Sequence, residues 1–259
     1  MGLCFGSFVN MLTYRIALRY DLISNFQFSK SNKNRSFCDY CGRQLKWYEN
    51  IPVISWMIQK GKTRCCQKKL SVLYPIVEIA TGLLFLIFNF QFSIFNQLLN
   101  FQLITQFFVG LVIIVFLVFS AVFDLKYMIL PDFSTITLVF SALVLWCSRF
   151  FGNWIYLLSA LGSFLFLDFL YLITKKKGMG FGDVKLAIFM GLFLGFPKII
   201  VAYYIAFVVG ALVSLILIIL KKAGKKTPIP FGPFLILGTF VAWFWGGWLI
   251  SLSAFQIFR

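Results

Sequence analysis

The sequence predicts an all-α, polytopic membrane protein of about eight transmembrane helices with one cytoplasmic cysteine-containing loop domain. Three observations point there. Hydrophobic residues make up 61% of the 259 residues and aromatics 20%. The mean hydropathy is +0.90. Apolar runs close to the 20 residues needed to cross a bilayer as a helix recur along the whole chain.

The spans follow in order. Residues 1–18 are apolar but lack a basic start, and Arg15 closes them, so they read as a first short membrane helix rather than a cleavable signal. Residues 19–71 form the one sizeable polar segment, a cytoplasmic cysteine loop. Residues 72–259 form the remaining transmembrane domain, with spans near 72–90, 103–123, 133–151, 154–173, 184–196, 199–220 and 234–255. The span 184–196 is short, which suits a helix that begins at a functional loop.

Charge sets the orientation. Eleven Lys or Arg fall in 19–71, and Lys126, Lys175, Lys176, Lys177, Lys221, Lys222, Lys225 and Lys226 follow the third, fifth and seventh spans. The opposite connections hold only Arg149 and Lys198. Basic loops stay cytoplasmic, so both termini are expected outside. The same placement argues against nucleic acid as the partner of the +16 net charge and for lipid headgroups at Lys221 to Lys226.

With no His in the chain, His-based triads, His-ligated hydrolase metals and His proton shuttles are excluded. Only eight residues are acidic. Asp183 stands among glycines in Gly178-Met179-Gly180-Phe181-Gly182-Asp183-Val184-Lys185, at the mouth of an apolar span. Asp124 closes the third span and Asp132 lies just beyond it, so all three fall at the cytoplasmic surface. Acids at such places are costly unless used. Two carboxylates sharing a proton can hydrolyse a peptide bond: the ionised one activates water, and the protonated one polarises the carbonyl. Eight residues of helix rise about 12 Å, so Asp124 and Asp132 are not expected to pair with each other. Asp124 is the first choice as partner of Asp183 and Asp132 the second. Gly180 and Gly182 leave room for a substrate backbone. The alternative is that Asp183 and Asp132 cap the helices that follow them. Capping does not account for Asp124, whose charge opposes the dipole at a helix end. A reading from another class is an ion- or proton-coupled transporter using Asp124, Asp168 and Asp183.

Cys38-Asp39-Tyr40-Cys41 and Cys65-Cys66 read as a thiolate site for Zn2+. A loop this small would need such a staple. The alternative is a loop held by packing of residues such as Trp47, Tyr48, Ile51 and Trp56 against the membrane face.

The Gly178–Lys185 segment resembles the GxGD signature of the prepilin peptidases, or type IV leader peptidases. Phe123 to Asp132 is similar to their other aspartate motif. Gly6-Ser7-Phe8-Val9-Asn10 with Tyr14-Arg15 resembles their N-terminal signature. Tyr74-Pro75-Ile76-Val77-Glu78 and Ile229-Pro230-Phe231-Gly232-Pro233 resemble two further landmarks, in family order. The stretch from Cys38 to Pro52 looks like competence-type members. The resemblance implies an intramembrane aspartic endopeptidase of the bacterial cell membrane. It would remove the leader of type IV prepilins or pseudopilins at the cytoplasmic face, with Asp124 and Asp183 as the catalytic pair and Lys185 in support.

It also implies N-methylation of the new amino terminus with S-adenosylmethionine, and Gly61 matches a glycine associated with methyl transfer. The family pattern has two CxxC pairs, the second of which would fall on Thr63 and Cys66. Either Cys65 supplies the missing ligand beside Cys38, Cys41 and Cys66, or the site lacks one.

Overall fold

The computed structural model describes residues 1–22, 36–38, 40–95, 101–149, 153–175, 179–221 and 229–257. Asp39, Gly178 and the lysines 176, 177, 222, 225 and 226 lie outside the described residues. The described residues form helices joined by turns, with two isolated β-bridges, Phe37 to Gln44 and Lys62 to Lys69, in the cysteine loop.

The helices are α1 (Gly2–Arg19), α2 (Ile54–Ile58), α3 (Leu73–Phe95), α4 (Phe101–Tyr127), α5 (Asp132–Arg149), α6 (Ile155–Ile173), α7 (Phe181–Leu194), α8 (Lys198–Ile219) and α9 (Gly232–Ile257). A single 3-10 turn, Trp47–Asn50, precedes α2. Every span expected from the sequence falls on one of these helices. Five of them, α3, α4, α6, α8 and α9, are long and apolar enough to cross a membrane, and α5 is a shorter apolar helix. The chain is therefore a multi-pass helical membrane protein. In a bilayer the helix is the economical choice, since it satisfies its own backbone N–H and C=O groups where no water can.

The chain divides into two compact units, Met1–Phe90 and Gln91–Arg259. In the first, α1 lies directly against α3 because small residues line the contact. A Cβ on Gly6 would stand 2.6 Å from the Cα of Glu78, and one on Gly2 would stand 2.9 Å from the Cα of Gly82. Asn10 donates from its side-chain amide to the Tyr74 carbonyl at 3.1 Å, pinning the two helices near the base of the loop.

In the second unit, α7 is the centre. Nine of its fourteen residues are buried, among them Val184, Leu186, Phe189 and Met190. A helix apolar on every side belongs inside a protein, and this explains its length: α7 is packed among other helices rather than stretched across lipid. Gly191 lets α6 approach at Ser159 and Ala160, and Gly238 lets α9 approach α8 at Ala202. The Ser163 hydroxyl of α6 donates to the Ala187 carbonyl of α7 at 2.8 Å. Close approach of small residues and interhelical hydrogen bonds are what hold helices together in lipid.

Candidate active site and cysteine cluster

Three chain segments of the second unit build the acidic site. The first is the last turn of α4. The helix runs one turn past the expected end of the span, to Tyr127, so Asp124 lies within helix rather than in the turn. The Met128 N–H closes on the Asp124 carbonyl at 2.8 Å, and Met128 takes a left-handed φ of 55°. Pro131 then prevents the helix from continuing.

The second segment is the start of α7. Its N-cap is Gly180. Asp183 is the third helical residue, and its Oδ2 accepts the Gly180 N–H at 3.2 Å. The expectation that Asp183 caps α7 is met in this form: the carboxylate reaches back across the first turn, a capping-box contact. The bond holds Oδ2 and leaves Oδ1 on the other side of the carboxyl group. Gly182 has a packing reason to be glycine, because a Cβ there would stand 2.8 Å from the Leu130 Cβ. Gly180 meets no such wall; the nearest atom to a Cβ there is Asp183 Oδ2 at 3.8 Å.

The third segment is the start of α9. The space where a Gly232 side chain would be is bounded by both carboxylates. A Cβ would stand 2.6 Å from Asp124 Oδ2 and 3.4 Å from Asp183 Oδ1. The two oxygens are therefore separated by no more than the sum of those distances. Asp124 and Asp183 are 5% exposed each, so they share one buried, water-poor site. Asp124 Oδ2 has no hydrogen-bond partner among the described residues.

Asp132 stands apart from the pair. It is the first residue of α5, and it receives an ion pair from Lys185 at 2.6 Å. Both side chains are exposed, at 65% for Asp132 and 36% for Lys185. An exposed pair like this contributes about 0–1 kcal/mol. Lys185 thus joins the α5 and α7 starts beside the acidic site.

Gly232 was not among the residues to which the sequence assigned a role. The signal was present in Ile229-Pro230-Phe231-Gly232-Pro233, whose prolines suit a helix start. That its glycine faces two acids more than 45 residues away is a property of the packing of α9 alone.

The cysteine loop belongs to the first unit. Cys38, Cys41, Cys65 and Cys66 offer sulfurs that all lie within 4.8 Å of one another. Cys38 and Cys66 are 3.8 Å apart, Cys41 and Cys65 3.1 Å, and Cys65 and Cys66 3.8 Å. Four thiolates bound tetrahedrally at about 2.3 Å would have sulfurs roughly 3.8 Å apart. The donor set therefore fits a metal ion, with Cys65 in place of the thiolate that position 63 lacks. Thr63 is buried beside the cluster, 3.0 Å from Cys66 through its hydroxyl. That hydroxyl is the first cause that brings the Cys66 thiol down to about 7. Burial pushes the Cys38 thiol up, and the hydrogen bond to Cys41 pushes Cys65 up to about 12. Gly61 lies at φ +68°, and a Cβ there would stand 3.0 Å from the Trp56 ring.

The fold and site define a multi-pass helical membrane protein with two buried aspartates close together at helix ends. Its relatives define it further. Residues 1–92 match the Bacterial Peptidase A24 N-terminal domain, and residues 111–215 match the Type IV leader peptidase family. A protein of Legionella pneumophila named prepilin leader peptidase/N-methyltransferase is 31% identical over 96% of this chain and 91% of its own length. Proteins of the same name from Bacillus subtilis (strain 168) and Stutzerimonas stutzeri are 32% and 31% identical. They cover 96% and 100% of this chain and 94% and 93% of their own lengths. No solved structure matches. The chain belongs to the type IV leader peptidase family.

Proposed function

We propose that this protein is an aspartic endopeptidase that removes the leader of type IV prepilins or pseudopilins, and that it N-methylates the amino terminus so exposed. The observation that carries the peptidase half is the meeting of Asp124 and Asp183 across Gly232 in a buried site. One carboxylate, ionised, takes a proton from water as the water attacks the scissile carbonyl. The other, protonated, donates a hydrogen bond to the carbonyl oxygen. The pair then returns a proton to the departing amine. Burial and mutual repulsion keep one proton between the two groups. Both apparent pKa values belong to the pair rather than to either residue.

Both acids stand at helix ends, one in the last turn of α4 and one in the first turn of α7. Transport sites lie near the bilayer midplane, so this placement favours the peptidase over the transporter. The lysine-rich connections after the third and fifth spans support a cytoplasmic orientation for the pair in a bacterial cell membrane, and the basic residues of 19–71 support the same for the cysteine loop. Lipid headgroups meet the basic loops there.

S-adenosylmethionine, when bound, supplies the methyl group for the amino terminus, and the family relationship supports its use. Zinc is the metal that suits four thiolates, and Cys38, Cys41, Cys65 and Cys66 would hold it as a structural ion. Metal analysis of the purified protein should give about one zinc per chain, and Cys38→Ser should abolish it. Retention of full zinc in that variant would remove Cys38 from the ligand set.

The test of the whole reading is incubation of the purified protein in detergent with a synthetic prepilin and S-adenosylmethionine, followed by mass measurement. The expected product lacks the leader and carries one added methyl on its amino terminus. An uncut substrate would overturn the peptidase reading; a cut but unmethylated product would overturn the methyltransferase half alone.

A further inference from the structure

The first unit holds a partly open cavity of about 190 Å3 between α1, the cysteine loop and the first turns of α3. Its walls combine buried polar groups, aromatic surface and positive charge. Asn10 and Glu78, 4% and 7% exposed, are buried polar residues on facing helices. Trp56 and Tyr14 supply aromatic surface, and Arg15 and Arg64 supply positive charge, exposed to solvent.

Two polar atoms on these walls are buried with no partner among the described residues: the Asn10 side-chain oxygen and the Trp56 indole N–H. Buried polar groups are nearly always hydrogen-bonded, so an unpaired acceptor and an unpaired donor on one cavity point to a ligand. Glu78 is satisfied as a hydrogen-bond acceptor, since the Val53 N–H donates to its Oε2 at 2.7 Å. No cation pairs with it among the described residues. A buried carboxylate without a counter-charge is expensive, so the cavity favours a ligand that brings a positive group.

The matching chemistry is specific. The ligand should carry a cationic centre for Glu78, a hydroxyl or ammonium donor for Asn10, and an acceptor for the Trp56 N–H. It should also have a flat aromatic face for the ring walls and an anionic end for the arginines. An adenosyl sulfonium amino acid has all five. The enclosed volume is below the ~300 Å3 that encloses a drug-sized ligand. Only part of the molecule is therefore held inside, with the rest at the arginine-lined mouth.

We propose that this cavity is the methyl-donor site, with Asn10, Trp56 and Glu78 as its contact residues. The proposal rests on the methyltransferase reading above. It also gives Gly61 a physical role: any side chain there would press on the Trp56 ring and displace one wall.

Titration calorimetry of the full-length protein in detergent, with S-adenosylhomocysteine and S-adenosylmethionine as probes, tests the assignment. Trp56→Phe deletes the N–H together with one ring of the indole while keeping an aromatic face, and Glu78→Gln keeps an acceptor for Val53; circular dichroism and size-exclusion profiles check that both variants fold. Glu78→Gln should weaken S-adenosylmethionine at least tenfold and weaken the uncharged thioether less, because only the former carries the sulfonium. Trp56→Phe should weaken both about equally. Wild-type affinity in both folded variants would overturn the cavity assignment while leaving methyl transfer intact. A wild-type protein that methylates pilin yet protects none of these residues from hydrogen exchange on binding would overturn it too. Failure of the wild type both to bind and to methylate would overturn this assignment together with the reading it rests on.

Discussion

Asp124→Asn and Asp183→Asn should each lower prepilin cleavage by roughly 10³-fold or more, with the helical content unchanged. Each substitution keeps the size and a hydrogen-bonding oxygen but removes the shared proton. The Asp183 amide can still accept the Gly180 N–H, so the start of α7 survives. The double variant should be little worse than either single one, because the two groups act as a unit. Asp132→Asn is the internal control. It breaks only an exposed pair with Lys185, and cleavage should fall less than about tenfold. Full cleavage in either Asp124→Asn or Asp183→Asn would dismiss the pair. A loss confined to Asp132→Asn would transfer the role to that residue.

Gly232→Ala is expected to lower cleavage by about 10²-fold, the usual effect of displacing reacting groups by an ångström. The added methyl would stand 2.6 Å from Asp124 Oδ2, well inside contact distance, and 3.4 Å from Asp183 Oδ1. Aspartate has a short side chain and Asp124 is buried, so the carboxylate has little room to retreat. The variant should still fold, because alanine is a better helix former than glycine. The informative measurement is cleavage by a protein whose thermal unfolding matches the wild type. Unchanged cleavage there would mean that substrate does not use the space before Gly232. The contrast is Gly182→Ala, where the methyl would meet Leu130 rather than a carboxylate, so overpacking should appear as reduced stability.

Much of the helical plan was legible because lipid imposes it. A run of apolar residues must satisfy its backbone internally, so length and hydropathy locate the helices with little ambiguity. Helix ends were less legible. The end of α4 depends on where the chain turns left-handed at Met128, and apolar periodicity carries no sign of that. The short α7 was visible as a truncated span, but its place at the centre was not, since an apolar helix in lipid and one among helices have the same composition.

The acids divide along the same line. Their rarity and position at helix ends marked Asp124, Asp132 and Asp183 together. Its place at a span end made Asp124 the first choice over Asp132 as neighbour of Asp183. The packing has the same order, with Asp132 turned outward to Lys185 and Asp124 buried beside Asp183. In the cysteine loop, the sequence left two alternatives, Cys65 as the fourth ligand or a site that lacks one. The two isolated bridges fold the loop so that the Cys65 and Cys66 sulfurs join Cys38 and Cys41.

By itself, the amino-acid order determined the class of protein, the helices and the small set of residues able to do chemistry. These depend on local hydrophobicity, charge and residue type. Only the tertiary structure decided which acids face each other, that Gly232 separates them, and that Asn10, Trp56 and Glu78 border one cavity. Those are relations between residues far apart in the chain. They are set by which helices can approach, through Gly6 in one unit and Gly191 and Gly238 in the other, and no local pattern encodes that choice.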